Sequence, residues 1–143
     1  MNRSQLDARV LDFLNRSTLS QAALDAFVEN AEGMMNRTLE HPKMLQRVDL
    51  TLPEDTNIVA LPSDILQLLT VRINNKVMRQ YPSTMVEQLA AGNFVGYIVR
   101  GDCIEFFPSL AAGTAVYLDY RAAIPSLVGG TVTENWVSRH PVL

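Results

Sequence analysis

Residues 60–66 read Ala-Leu-Pro-Ser-Asp-Ile-Leu, a stretch that closes an extended run and changes the direction of the chain. Pro62 fixes one φ angle, and either Ser63 or Asp64 can cap a short helical turn that begins at Ile65. Because these residues act through backbone conformation, the stretch predicts architecture rather than chemistry.

The composition is that of a single domain with a hydrophobic core. The chain has 143 residues, of which 48% are hydrophobic and 19% charged, and its net charge is −3. No apolar run approaches the ~20 residues of a membrane helix, so we expect a soluble protein. The first residues lack a secretory signal, which predicts synthesis in the cytoplasm. A mildly acidic chain is a poor candidate for tight binding of nucleic acid.

Residues 1–40 predict a helical part made of two helices. The first carries Leu6, Val10, Phe13 and Leu14 on one core-facing stripe. Thr18 and Gln21 have capping-box spacing at the start of the second. We expect that helix to end near residue 40, with two faces. The core face would hold Leu24, Phe27, Val28, Ala31, Met35 and Leu39, and the solvated face Asp25, Glu29, Glu32 and Arg37.

Residues 44–128 predict a mainly β region. Polar and apolar residues alternate over 46–52, and 58–61 form a second extended piece. Asn74-Asn75 predicts a two-residue hairpin turn, because Asn tolerates positive φ. A short helix is expected near 84–91, capped by Thr84 and Glu87 and stopped at Gly92. An antiparallel meander over 97–99, 103–107 and 114–120 follows, then a loop over 122–130. Thr131 and Glu134 predict a C-terminal turn or helix stub over 131–143. The fold class is therefore α+β.

No group of residues predicts catalysis, a cofactor or a metal site. Cys103 is alone, so His41 and His140 have no thiolate partners. The carboxylates of the β region are scattered, and Arg100-Gly101-Asp102 is good turn chemistry. Gly92 and Gly96 flank a phenylalanine instead of a nucleophilic serine, so we interpret both as loop glycines.

Three basic residues, Arg72, Lys76 and Arg79, surround the predicted Asn-Asn hairpin. One interpretation is a modest basic surface patch. The other is that these charges protect the edge of a sheet from pairing with another strand. The edge interpretation is favoured.

The order of these segments resembles that of the adaptor, or head-completion, proteins of tailed bacteriophages. An N-terminal helical pair precedes the stretch at residues 60–66, as in that family. The resemblance continues through residues 69–73, 97–108, 113–121 and 124–127, then Thr133-Glu134-Asn135-Trp136-Val137 and His140-Pro141. Members of the family usually continue past the His-Pro step into an aromatic-rich helix, whereas this sequence stops at Leu143.

The resemblance implies a structural virion protein without enzymatic activity. It would be made in the host cytoplasm and located in the virion neck, as a closed ring of about twelve copies that lines a DNA channel. The basic patch of Arg72, Lys76 and Arg79 would then face that channel. Its partners would be further copies of itself, the portal protein, and tail or tail-terminator proteins, while DNA would pass without sequence-specific binding. A partner interface would hold Trp136, Arg139, His140, Pro141 and Leu143.

Two alternatives stay open. One is another neck or tail-terminator component of a phage particle. The other is a small ligand-binding or enzymatic α+β domain, in which Tyr97, Tyr117 and Tyr120 line a pocket on the concave face of the sheet.

Overall fold

The computed structural model describes residues 2–54, 56–92, 95–129 and 135. These residues form three α-helices and antiparallel sheets, which confirms the α+β prediction. The chain divides into two compact units, one made of residues 1–44 and 123–143 and the other of residues 45–122. We describe each unit by itself, and the expectation of a single domain stays a prediction.

The first unit is built on helices α1 (Arg3–Phe13) and α2 (Gln21–Thr38). The α2 helix begins differently from the sequence prediction: Ser20, not Thr18, is the N-cap, and its hydroxyl accepts a hydrogen bond from the Ala23 amide at 3.3 Å. A serine directly before the first turn satisfies one of the orphan amide groups there, so the helix starts three residues after Thr18. A 3₁₀ turn over Pro42–Met44 closes the N-terminal segment.

Both helices of this unit bury less apolar surface than their sequence patterns predict. In α2 the buried side chains are Leu24, Val28 and Glu32, whereas Phe27 is 49% exposed. The α1 helix has no buried residue, and Phe13 is 89% exposed. The core face of α2 therefore follows a narrow i, i+4 row that includes a carboxylate predicted to be solvated.

The second unit contains two antiparallel sheets. A four-stranded sheet has the order β1-β7-β3-β4, and a three-stranded sheet has the order β2-β6-β5. The strands are β1 (Leu45–Thr51), β2 (Ile58–Ala60), β3 (Ile65–Ile73), β4 (Lys76–Val77), β5 (Gly96–Arg100), β6 (Cys103–Phe107) and β7 (Ala115–Ala122).

The last three strands do not form the predicted meander. The β5 and β6 strands form a hairpin in the smaller sheet, but β7 crosses to the larger sheet and inserts between β1 and β3. Alternate residues of β7 are buried, and they pack with the inner face of the smaller sheet around the fully buried Phe106. The buried side chains of this cluster are Leu52, Val59, Val71, Ile73, Tyr97, Ile104, Phe106, Val116 and Leu118. A second, smaller cluster consists of Leu89, Ile98 and Phe107.

The stretch at residues 60–66 turns the chain but starts no helix. Ile65 donates its amide hydrogen bond to the Pro62 carbonyl at 3.2 Å, which closes a tight turn, and β3 begins at Ile65 itself. The run after Asp64 is rich in apolar and β-branched residues, and its pairing with β7 overrides the short helical turn. By contrast, the Asn74-Asn75 hairpin is confirmed, with φ angles of 50° and 62°.

The connection from β4 to β5 contains a short helix, α3 (Val86–Ala90), after a 3₁₀ turn over Ser83–Met85. The predicted capping box is absent, because the N-cap is Met85 and makes no side-chain hydrogen bond. Gly92 has φ 78°, as a loop glycine would. Gly96 is different: a Cβ there would overlap the Arg79 carbonyl oxygen and the Tyr81 ring, so this glycine permits close packing.

Candidate functional site

The predicted partner interface lies outside the described residues. Trp136, Arg139, His140, Pro141 and Leu143 all fall there, as does the predicted turn over 131–143 except for Asn135. The role of these residues in binding a partner stays a prediction.

The three basic residues around the hairpin do not share one face of the sheet. Arg72 pairs across the strands with Val77, and Lys76 with Ile73, whose side chain is in the core. Neighbouring positions on a strand point to opposite faces, so Arg72 and Lys76 point apart. The Arg79 guanidinium stacks 5.3 Å from the centre of the Tyr81 ring. Lys76 lies on β4, an edge strand, as the edge interpretation requires.

Arg72 instead belongs to an ion-pair cluster on the outer face of the larger sheet. Its Nη2 lies 3.3 Å from Asp119 Oδ2, while Arg47 Nε donates to Asp119 Oδ1 at 2.7 Å. The hydrogen bond from Arg47 lowers the pKa of Asp119, and Asp119 in turn raises the pKa of Arg47. The three residues come from β1, β7 and β3, so only the strand order brings them together. Their outward position was predictable from strand alternation, but their pairing was not.

The three tyrosines of the ligand-binding alternative do not converge. Tyr97 is on the smaller sheet, 4% exposed, and packs against Phe106, with ring centres 6.3 Å apart. Tyr117 and Tyr120 lie three positions apart on β7 and therefore point to opposite faces. Burial raises the pKa of Tyr97 and of Tyr120, and the Tyr120 hydroxyl donates to Asp64 Oδ1 at 3.3 Å. These tyrosines stabilise packing and do not line a common pocket.

In the first unit, two polar side chains of α2, the buried Glu32 and the partly buried Asn36, hold the loop over residues 123–128. The Leu127 amide donates to Glu32 Oε1 at 2.9 Å, and the Ser126 hydroxyl donates to Oε2 at 2.8 Å. One turn further on, Asn36 Oδ1 accepts from the Ile124 amide at 2.9 Å. The only feature of the sequence that indicates burial of Glu32 is its position, because it continues the row of Leu24 and Val28 at i, i+4 spacing.

The same loop is fastened to α1 by Arg3. The Arg3 Nη1 atom donates to the Leu127 carbonyl at 3.2 Å, while other guanidinium nitrogens contact Asp7 at 2.8 Å and Asp25 at 2.6 Å. Desolvation opposes the charge of Arg3, but the two carboxylates outweigh it and the pKa of Arg3 is raised. From the other side, the Asn135 amide donates to the Pro125 carbonyl at 3.0 Å. The loop is therefore held by side chains from both helices.

An apolar stripe remains on the solvent side of α2. Phe27 is 49% exposed and Met34, two turns on, is 64% exposed, with the exposed Ala31 between them. Their i, i+4, i+7 spacing puts the three side chains on one face. At the end of α1, Phe13 is more exposed still. Exposed apolar side chains in such a row are typical of an interaction surface.

The remaining ionisable groups of the described residues do not gather into a metal site. In the described part of the chain, no three His, Cys, Asp or Glu side chains cluster as metal ligands would. The Arg100-Gly101-Asp102 segment is the turn between β5 and β6, as predicted, and Arg100 pairs with Glu105 at 3.1 Å. Among the described residues, no helix has the length and apolar character needed to cross a bilayer.

Comparison with known proteins indicates the family to which this chain belongs. No curated protein is similar enough in sequence to be matched to this chain. The profile of the family described as SU10 adaptor protein, by contrast, matches residues 1–143, which is the whole sequence. The resemblance noted from the order of the sequence segments is thereby confirmed. The chain belongs to the SU10 adaptor protein family, a family of structural adaptors from the head–tail region of bacteriophages.

Proposed function

We propose that this protein is a head-to-tail connector adaptor, which forms a ring in the virion neck between the portal and the tail and surrounds the path of the DNA. The family match over the entire chain carries this proposal. The adaptor acts by binding its neighbours and performs no catalysis. Its partners are further copies of itself, the portal protein, and tail or tail-terminator proteins.

Ring closure requires two different surfaces on each subunit, because every copy contacts its neighbours head to tail. The stripe formed by Phe27, Ala31 and Met34 supports one of them. It lies on a long helix, beside the row of Leu24, Val28 and Glu32 that is already buried. Burying Phe27 and Met34 between subunits would contribute up to about 1.5–3 kcal/mol each.

The charge distribution supports passage of DNA without retention. Two of the three cations considered for the channel already have partners: Arg72 contacts Asp119 and Arg79 stacks on Tyr81. Affinity for DNA rises with the number of phosphates that free Lys and Arg side chains neutralise. A net charge of −3 and engaged arginines therefore favour weak contact with the duplex.

Two other functions were considered. A different neck or tail-terminator component would use the same kind of surfaces, and it differs only in which ring it contacts. A ligand-binding or enzymatic domain has less support, because its three tyrosines point in different directions.

The proposal is tested by imaging the purified chain with and without its portal, together with native mass measurement. We expect a closed collar on the portal in negative-stain images. Phe27→Glu and Met34→Glu should prevent the collar while leaving the circular dichroism spectrum unchanged. Ala22→Glu, a charge at an exposed position on another side of the same helix, should still form it. A chain that never associates with portal or tail particles would contradict the function. A collar that tolerates both stripe variants would contradict only the assignment of the stripe.

A further inference from the structure

The edge of β1 that faces away from β7 presents unpaired backbone groups. Leu52 donates its amide to the Thr114 carbonyl at 3.0 Å, so the even-numbered residues of β1 bond to β7. The N–H and C=O groups of Leu45, Arg47, Asp49 and Thr51 therefore point outward. Within the described residues, no backbone hydrogen bond reaches these four, and all four residues are exposed.

The other described strand edges are shorter or covered. The β2 and β4 strands have three and two residues, respectively. The edge of β5 is bridged at Tyr97, which accepts from the Tyr81 amide at 2.8 Å and donates to the Arg79 carbonyl at 2.9 Å. Residues 65–70 of β3 extend beyond β4 and have no strand partner on that side among the described residues, but register shifts against β7 make this part of the edge irregular. Among the described strands, β1 alone offers a regular open edge of seven residues.

The side chains along this edge are complementary to themselves. Arg47 and Asp49 lie one position to either side of Val48. Arg47 Nε contacts Asp119 within the same chain, but the Arg47 side chain is still 56% exposed and can contact a second carboxylate. When two copies of β1 meet antiparallel with Val48 opposite Val48, each Arg47 faces the other copy's Asp49, and each Leu45 faces Thr51. Residues whose backbone groups point outward then oppose each other, as hydrogen-bonded pairs require.

Only this register suits the charges. Because backbone groups point outward at every second residue, the facing strand can shift only by an even number of residues. A shift by two residues puts Arg47 opposite Arg47 or Asp49 opposite Asp49. Like charges directly opposite each other destabilise a strand pair, and opposite charges stabilise it. The pattern thus selects one of the neighbouring registers.

We propose that the β1 edge binds the β1 edge of a second copy, forming a two-fold symmetric dimer with a continuous eight-stranded sheet. The occupant is argued from the charge symmetry about Val48 and from the exposure of this edge. The inference does not depend on the proposed ring. Subunits of a ring are related by rotation about a common axis and do not place the same edge against itself. The dimer is consequently a form of the unassembled chain.

Charged residues on an edge strand also serve to prevent pairing, and this explanation makes the opposite prediction. If Arg47 and Asp49 only protect the edge, the chain stays monomeric and their exchange changes nothing. If they pair across a dimer, changing one sign must weaken association.

The experiment measures the dimer dissociation constant of the full chain by sedimentation equilibrium. Asp49→Arg puts two like-charged pairs in the interface and should raise the constant at least about tenfold. Glu54→Arg makes the same charge change beyond the end of β1 and should leave the dissociation constant unchanged. Arg47→Glu alone should raise the dissociation constant similarly, but its equimolar mixture with Asp49→Arg should form a heterodimer.

A second variant addresses the backbone. Asp49→Pro removes an N–H group that points away from β7, so the fold should persist while dimerisation is lost. Hydrogen exchange at the Arg47 and Asp49 amides should slow as the concentration of the unmodified chain rises. The proposal is overturned if the chain is monomeric at every concentration, or if Asp49→Arg and Asp49→Pro dimerise as the unmodified chain does.

Discussion

Replacing Glu32 by alanine removes the carboxylate that fastens the loop over residues 123–128 to α2. The Leu127 amide, in a residue only 8% exposed, then has no acceptor, which costs about 1–3 kcal/mol. Ser126 is exposed, so its hydroxyl can form a hydrogen bond with water instead, and losing the bond to Glu32 adds little to the cost. We expect the free energy of unfolding to fall by about 2 kcal/mol, most of it from the Leu127 amide.

Urea unfolding followed by circular dichroism measures this loss, and hydrogen exchange at Leu127 locates it. Glu32→Gln keeps an oxygen acceptor and should lose less than half as much. Glu29→Ala, at an exposed position of the same helix, is the control and should change stability by no more than about 0.5 kcal/mol. If Glu32→Ala matches that control and the Leu127 amide stays protected, the reasoning is refuted.

Three further predictions concern the second unit. Gly96→Ala forces a Cβ into the Arg79 carbonyl and should destabilise the protein by about 1–3 kcal/mol in thermal unfolding; an unchanged midpoint would contradict the packing described. Asn74→Ala places a side chain without local hydrogen bonding at φ 50° and should cost about 1–2 kcal/mol in urea unfolding, whereas Asn74→Gly should not. Asp119 has its pKa lowered by Arg47, so its stabilisation is complete above its ordinary value of 3.8 and is lost as pH falls through the lower folded value. Asp119→Asn should therefore flatten the acid limb of stability against pH, and an equally steep limb in the variant would rule this out.

Local features were the most predictable from the sequence. The Asn74-Asn75 hairpin depends on two adjacent residues that tolerate positive φ, and the alternation over 46–52 defines β1 almost to the residue. In these cases the deciding interactions lie within a few positions along the chain. The family resemblance likewise depended on the order of short segments.

Features that depend on distant contacts were not predictable. The sequence places Glu32 on the solvated face of its helix, but its partners lie more than 90 residues away in the sequence and hold it in a buried position. Ser63 and Asp64 favour a helical turn that begins at Ile65, whereas pairing of β3 with β7 makes Ile65 the first residue of a strand. The Arg47–Asp119–Arg72 cluster required the strand order itself.

The strand order also bears on how the protein is synthesised. The β7 strand is the last of the described strands along the sequence, yet it lies between β1 and β3 and pairs with both. While the nascent polypeptide is still attached to the ribosome and residue 122 has not emerged, β1 and β3 have no neighbour in common. The larger sheet therefore forms only after residues 115–122 have been translated, a slow route for contacts so far apart in the sequence. Pulsed proteolysis of ribosome-stalled chains should show protection of β1 appearing only once residues 115–122 have left the exit tunnel.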